Sequence, residues 1–170
     1  MKPVLIYIRG PPAVGKSSIA RKLAKKLKNA ALLHEDWFKF IQAKRKLRDP
    51  KTNEIADKLI FATIKKMNEL DHYDYFIIEG LLLLPGTIKR HEEFIKKNKF
   101  KVYFFELTAK NKTLIERNKA RTEHKSKIKN LIELNRKIKS TSIKGAVELK
   151  TEKLSESACV SLIIKQVKSS

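Results

Sequence analysis

Residues 10–17 read Gly10-Pro11-Pro12-Ala13-Val14-Gly15-Lys16-Ser17, and this octet governs how the rest of the chain is read. It satisfies G-x-x-x-x-G-K-[ST] at every fixed position. The spacing has a physical basis. A loop that wraps a diphosphate must turn successive backbone N–H groups inward, and glycine permits both the turns and the close approach. A helix opening at Gly15-Lys16 adds the positive end of its dipole. In such a loop Lys16 reaches the terminal phosphates and the Ser17 hydroxyl ligates Mg²⁺, so the expected nucleotide-binding segment runs from Gly10 to Ser18. A random chain of this length matches the pattern about once in 200, which makes the match hard to dismiss even before its surroundings are read.

The flanks agree with it. Val4 to Ile8 (VLIYI) is an unbroken apolar run rich in β-branched residues, as in a strand buried on both faces. From Lys16 to Leu27, Ile19, Leu23 and Leu27 recur four apart while Arg21, Lys22, Lys25 and Lys26 fill the other side, which predicts an amphipathic helix. Further strands are expected at Ala30–Leu33, Tyr75–Ile78, Val102–Leu107 and Gly145–Leu149. Helices are expected from about Asn53 to Leu70, Thr87 to Lys97, a Thr108 N-cap to Lys119, Ile128 to Ile138, and after a Ser155 N-cap. Asp49-Pro50 reads as a turn. Strands alternating with helices, without repeat or linker, predict a single α/β domain over residues 1–170. Its expected form is a three-layer sandwich around a parallel sheet of about five strands.

Composition narrows the setting. No segment approaches the roughly 18 consecutive apolar residues of a membrane span, and the N-terminal run reads as a strand rather than a secretory leader. The lone cysteine, Cys159, excludes an intrachain disulfide and falls in an apolar helical pattern, which favours packing and a cytoplasmic setting. The net charge of +21 favours anionic partners, nucleotide or nucleic acid, and is concentrated in residues 39–51, 89–101 and 119–139. The same excess also reads as plain lysine enrichment.

Two carboxylates fall where such a fold binds ligands, beyond the carboxyl ends of its strands. Glu79 closes the third strand and has the position of an acid that holds Mg²⁺, or else it caps a turn. Asp36 follows the second strand and is the candidate to orient or remove a hydroxyl proton beside the γ-phosphate, with N-capping of a helix from Trp37 as its alternative and Glu35 as its rival. Trp37, Phe38 and Phe40 either stack on an aromatic acceptor or form the packed face of that helix. His34 is near enough to line the acceptor pocket. His34, His72, His91 and His124 show no zinc-ligand spacing.

Taken together, GPPAVGKSSIA, HEDWFKFI, FIIEGLLL and LIERNKAR resemble the P-loop kinases of the nucleoside-monophosphate-kinase-like group, which includes shikimate, gluconate, uridine and polynucleotide kinases and chloramphenicol phosphotransferases. The resemblance follows element order over nearly the whole chain, and only the phosphate loop is specific by itself. It implies an ATP:alcohol phosphotransferase with an arginine-bearing lid at about residues 109–140. Arg117 and Arg121, four apart on one expected helix face, fit that lid, where such arginines contact adenine and the transferring phosphates. Three functions stay open: a kinase for a small molecule or nucleoside, a kinase for a polynucleotide 5′-hydroxyl, and a nucleotide-hydrolysing switch without acceptor. In the second, Lys39, Lys44, Arg45, Lys46 and Arg48 would hold backbone phosphates.

Overall fold

The first apolar run forms strand β1 (Val4–Arg9) and takes the middle of a five-stranded parallel sheet. The other strands are β2 (Ala30–His34), β3 (Tyr75–Gly80), β4 (Lys101–Thr108) and β5 (Val147–Lys150), in the order β2-β3-β1-β4-β5. The computed structural model describes residues 3–42, 49–70, 72–81, 85–122, 125–141 and 143–169. His124 and the basic residues Lys44, Arg45, Lys46 and Arg48 lie outside that set. Its helices are α1 (Lys16–Lys26), α2 (Glu35–Phe40), α3 (Pro50–Glu69), α4 (Pro85–Asn98), α5 (Asn111–Lys119), α6 (Ile128–Ser140) and α7 (Glu156–Lys168).

Parallel strands joined by helical crossovers must be covered on both faces, and the side chains of β1 divide accordingly. Ile6 and Ile8 join Ile19 and Leu23 of α1 and Val160 and Ile163 of α7 on one face. Leu5 and Tyr7 join Ile60 and Ile64 of α3 and Phe94 of α4 on the other. The expected three-layer sandwich is thus observed, with Cys159 buried in its first core. No helix among the described residues is long and apolar enough to cross a membrane.

Three boundaries differ from the sequence expectation for local reasons. Helix α3 starts at Pro50, because the Asp49 carboxylate accepts the Thr52 N–H at 2.8 Å and proline suits the first helical position. Asp-Pro here opens a helix and is not a free turn. Thr108 ends β4 and donates its hydroxyl to Glu148 at 2.8 Å, so Lys110, without a side-chain cap bond, precedes α5. Helix α2 begins at Glu35 after His34, which makes Asp36 a helical residue and not its cap. Ser155 caps α7 as expected, accepting from Ala158 N–H at 3.1 Å.

The stretch expected as a lid contains α5 and α6, and α6 is docked on the body. Leu131, Leu134 and Ile138 are buried, and Asn135 donates to Asn111 Oδ1 at 2.7 Å. Arg9, fully buried at the end of β1, donates to the carbonyls of Ile138 at 2.9 Å and Thr141 at 2.7 Å and stands 3.1 Å from Glu106.

A second polar group lies within the α3–α4 layer. His91 donates from Nε2 to Asp57 at 3.2 Å, which leaves Nδ1 to accept the Tyr7 hydroxyl at 2.9 Å. Arg90 closes the set with two bonds to Asp57 Oδ2 at 2.8 and 2.5 Å. Burial, with Asp57 adding to it, pushes the Tyr7 phenol far above its ordinary range. Asp57→Ala leaves His91 and Arg90 without their acceptor and is expected to cost about 3 kcal/mol in urea melts; Tyr7→Phe removes one hydrogen bond and about 1 kcal/mol. Unchanged midpoints in both variants would show that the network carries no stability.

Candidate active site

The octet folds as a loop between β1 and α1 and closes on itself. Val14 N–H donates to Pro11 O at 3.4 Å, and the Lys16 ammonium donates to the same carbonyl at 3.1 Å. Ala13 has left-handed backbone (φ 64°), an unusual state for a residue with a Cβ and one that concentrates at ligand sites. Gly15, at φ 102°, takes the position before α1, where a side chain would be strained. Pro11 and Pro12 have no N–H, so an anion in this loop is met by donors from Ala13 onward. The start of α1 has neither a side-chain cap bond nor an acidic residue in its first turn. Its positive end is therefore left for an external anion.

Glu79 is the meeting point of the site. It sits on β3 opposite Ile8, one strand over from the loop. Ser17 Oγ donates to its Oε1 at 3.4 Å, and the Lys16 ammonium stands 3.8 Å from that oxygen. His34 Nδ1–H donates to Oε2 at 2.5 Å. Burial alone would raise the Glu79 pKa, but the His34 hydrogen bond and the Lys16 charge outweigh it and hold the carboxyl below its usual range. Burial pushes the Lys16 ammonium below its ordinary value; Glu79 and Asp36 oppose this shift and Arg121 adds to it. Asp36 and Arg121 are thus within electrostatic reach of the Lys16 ammonium.

The neighbours Glu35 and Asp36 part company here. Glu35 is buried, accepts Leu81 N–H at 2.8 Å and pairs with Lys39 at 2.6 Å. Gly80 makes this possible, since a Cβ there would collide with the Glu35 carboxylate. Asp36 has an exposed side chain, with Lys39 at 3.6 Å. Lys39 is buried between the two acids and is not a surface contact for nucleic acid, contrary to the expectation drawn from its place in the basic run. Trp37 and Phe40 are exposed, and of the three aromatics Phe38 alone packs against the core, which corrects the expectation of a packed aromatic face.

Arg117 and Arg121 do not share a helix face, because α5 ends at Lys119 and Arg121 lies beyond it. Arg117 reaches across to Thr151, donating to its hydroxyl at 2.9 Å and its carbonyl at 2.7 Å. It thereby roofs a cavity of about 300 Å³ bounded by Val14, Gly15, Ile19, Thr151 and Leu154. That cavity adjoins the phosphate loop and is of a size to take a planar heterocycle. The sequence reading missed Thr151, and also Gly80; the EG pair at the end of β3 was the available signal for the latter.

The tunicamycin resistance protein of Deinococcus radiodurans superposes with a TM-score of 0.73 at 17% identity, covering 98% of this chain and 96% of that one. A sugar kinase from Janibacter sp. HTCC2649 gives 0.69 at 12% identity, covering 99% and 94%. A chain of the Pnkp1/Rnl/Hen1 complex gives 0.58 at 18% identity over 74% of this chain and 41% of its own length. No curated protein matches the sequence itself. A family model described as an AAA domain matches residues 6–141, from within β1 to just past the end of α6, which is more than half of the sequence: the chain belongs to the AAA domain family.

Proposed function

We propose that this chain is an ATP-dependent phosphotransferase, acting in the cytoplasm, that moves the γ-phosphate to a hydroxyl of a small molecule or nucleoside. The observation that carries this reading is the contrast within α2. Asp36, the residue after Glu35, has an exposed side chain whose charge is felt by Lys16, whereas Glu35 is buried and engaged. A hydrolase or switch has no need of a second, open carboxylate on the acceptor side. Kinase-like folds among the structural neighbours, one of them named a sugar kinase, lend support.

In this mechanism, the base occupies the cavity under Arg117 and the phosphates lie along the N–H groups from Ala13 to Ser18. Lys16 and Arg121 offset charge on the β- and γ-phosphates. The acceptor oxygen forms a bond to the γ-phosphorus as the bond to the β–γ bridging oxygen breaks, and ADP departs with that electron pair. Asp36 takes the hydroxyl proton. Ser17 and Glu79 present oxygens to one space, the donor type that suits Mg²⁺. Together with the nucleotide's own oxygens, this carboxylate and hydroxyl would hold the cation. When bound, the ion supplies charge neutralisation on the phosphates.

Lys16→Ala is expected to abolish transfer in a radiolabelled-ATP assay while circular dichroism stays native, because Lys16 opens α1 where the loop ends and belongs to neither hydrophobic core. Full activity in the folded variant refutes the site. Asp36→Asn should lower kcat roughly 10²-fold or more with ATP affinity near that of the wild type. Wild-type rates in Asp36→Asn together with an inactive, folded Glu35→Gln would transfer the role to Glu35.

The charge of +21 favours one other reading, a polynucleotide 5′-hydroxyl as acceptor. Each phosphate contact adds about 0.7 to 0.9 to the slope of log affinity against log salt. The small-acceptor reading expects activity nearly independent of salt and a silent Arg45/Lys46/Arg48→Ser triple variant. A steep slope for a phosphorylated oligonucleotide, flattened in the triple variant, would establish the polynucleotide reading instead. If no hydroxyl compound raises ATP consumption above its rate in water, the chain is a switch.

A further inference from the structure

Helix α2 is built inside out. Its inward positions carry Glu35 and Lys39, 2% and 4% exposed, while Trp37 and Phe40 are 59% and 57% exposed and Ile41, just past its end, 70%. Charged side chains are seldom buried unless paired, and large apolar ones seldom cluster at a surface without a use. The arrangement is also fixed. Glu35 is tied to Leu81 N–H and to Lys39, Phe38 packs beneath, and Gln42 donates to the carbonyls of Phe38 and Thr52, each at 3.1 Å. Rotating the helix to cover its aromatic strip would expose one pair of charges and break these bonds.

Trp37 in turn has a defined place in the site. Its ring lies against the His34 imidazole, with centroids 4.2 Å apart and planes at 53°. His34 holds Glu79 at 2.5 Å, and Glu79 stands 3.8 Å from Lys16. Three contacts therefore lead from the indole to the ammonium of the phosphate loop, and the residue before Trp37 is Asp36. Phe40 follows Asp36 by four residues and Trp37 by three, so the exposed carboxylate borders the aromatic strip along α2, and an acceptor held at Asp36 would meet it.

We infer that Trp37 is a specificity-determining residue of the acceptor site, and that the acceptor carries a flat unsaturated ring that stacks on its indole, of which a nucleoside is the simplest example. The inference deepens the phosphotransferase reading and rests on it. The bond changes are those given above: the acceptor hydroxyl gains the γ-phosphoryl group, ADP leaves with the bridging electron pair, and Asp36 receives the proton. Phe40 and Ile41 extend an apolar surface and supply no side-chain donor or acceptor, so the strip recognises the face of a ring and not the pattern of its edge. Tolerance toward different bases follows, as it does for other aromatic stacking platforms.

Trp37 is the only tryptophan, so its emission reads this surface directly. The intact chain, saturated with Mg–ADP to fill the donor site, is titrated with adenosine, uridine, ribose and glucose. Adenosine and uridine are expected to quench Trp37 saturably, and ribose and glucose are not. In transfer assays Trp37→Ala should raise the nucleoside KM roughly tenfold or more with a much smaller change in kcat, and Trp37→Phe should retain most of the affinity. The exposed position of Trp37 means that neither variant hollows a core. Phosphorylation of a saturated acceptor, unaffected by Trp37→Ala, overturns the stacking inference and keeps the kinase reading. Saturable quenching by a nucleoside without transfer to any hydroxyl keeps the stack and overturns the kinase reading. Absence of quenching by all four probes overturns the inference outright.

Discussion

Parallel pairing of β1 with β3 is the contact on which the site rests. Its register sets Ile8 beside Glu79 and Arg9 beside Gly80, so β3 ends level with the start of the phosphate loop. A slip of one residue would point Glu79 into the opposite helical layer and away from Ser17 and Lys16. The same register delivers Gly80 to the spot where Glu35 crosses the strand end. Neighbouring β2 joins β3 with His34 beside Glu79, which brings the imidazole to the carboxylate. The phosphate loop, Glu79 and the start of α2 are thus placed by backbone hydrogen bonds, with side chains making the last adjustment.

Burial at α2 shows which force wins locally. A charged pair inside a protein costs desolvation, and its retention calls for compensation. Here the compensation is visible in Lys39, held above its ordinary pKa by Glu35 and Asp36 although burial pushes the other way. The ion pair and the Leu81 N–H bond fix the helix on its polar side. An exposed Asp36 and an exposed aromatic strip are then two outcomes of one anchoring.

Much of this was legible in the sequence because it depends on short-range pattern. The octet, the buried strand VLIYI, the stripe of Ile19, Leu23 and Leu27, and the Ser155 cap are each written within a dozen residues. What escaped notice depends on partners far along the chain. Arg9 is one more basic residue until Ile138 and Thr141 supply carbonyls to it. Asp57 and His91 look like surface polar residues of amphipathic helices until Tyr7 and Arg90 close around them. Arg117 was singled out for a lid, but its partner Thr151 lies beyond β5, where no local signal marks it. For Trp37, Phe38 and Phe40 the sequence left a packed face and an exposed stacking surface both open, and only the tertiary anchoring of α2 decides that Phe38 packs and the other two are exposed.

Pro11 and Pro12 have a thermodynamic consequence beyond the loss of two donors. Each ring fixes one backbone angle, so the loop has fewer conformations to give up when it closes around an anion. The rigidity is carried by the first half of the loop, while Ala13 to Lys16 supply the inward-turned backbone. A loop stiffened in this way should bind phosphate with a smaller entropic penalty than a glycine-rich equivalent, and should vary less in shape between nucleotides. In the proposed phosphotransferase, selectivity for the phosphate groups would then come from the loop's stiffness, and discrimination among acceptors from residues on the far side of Glu79.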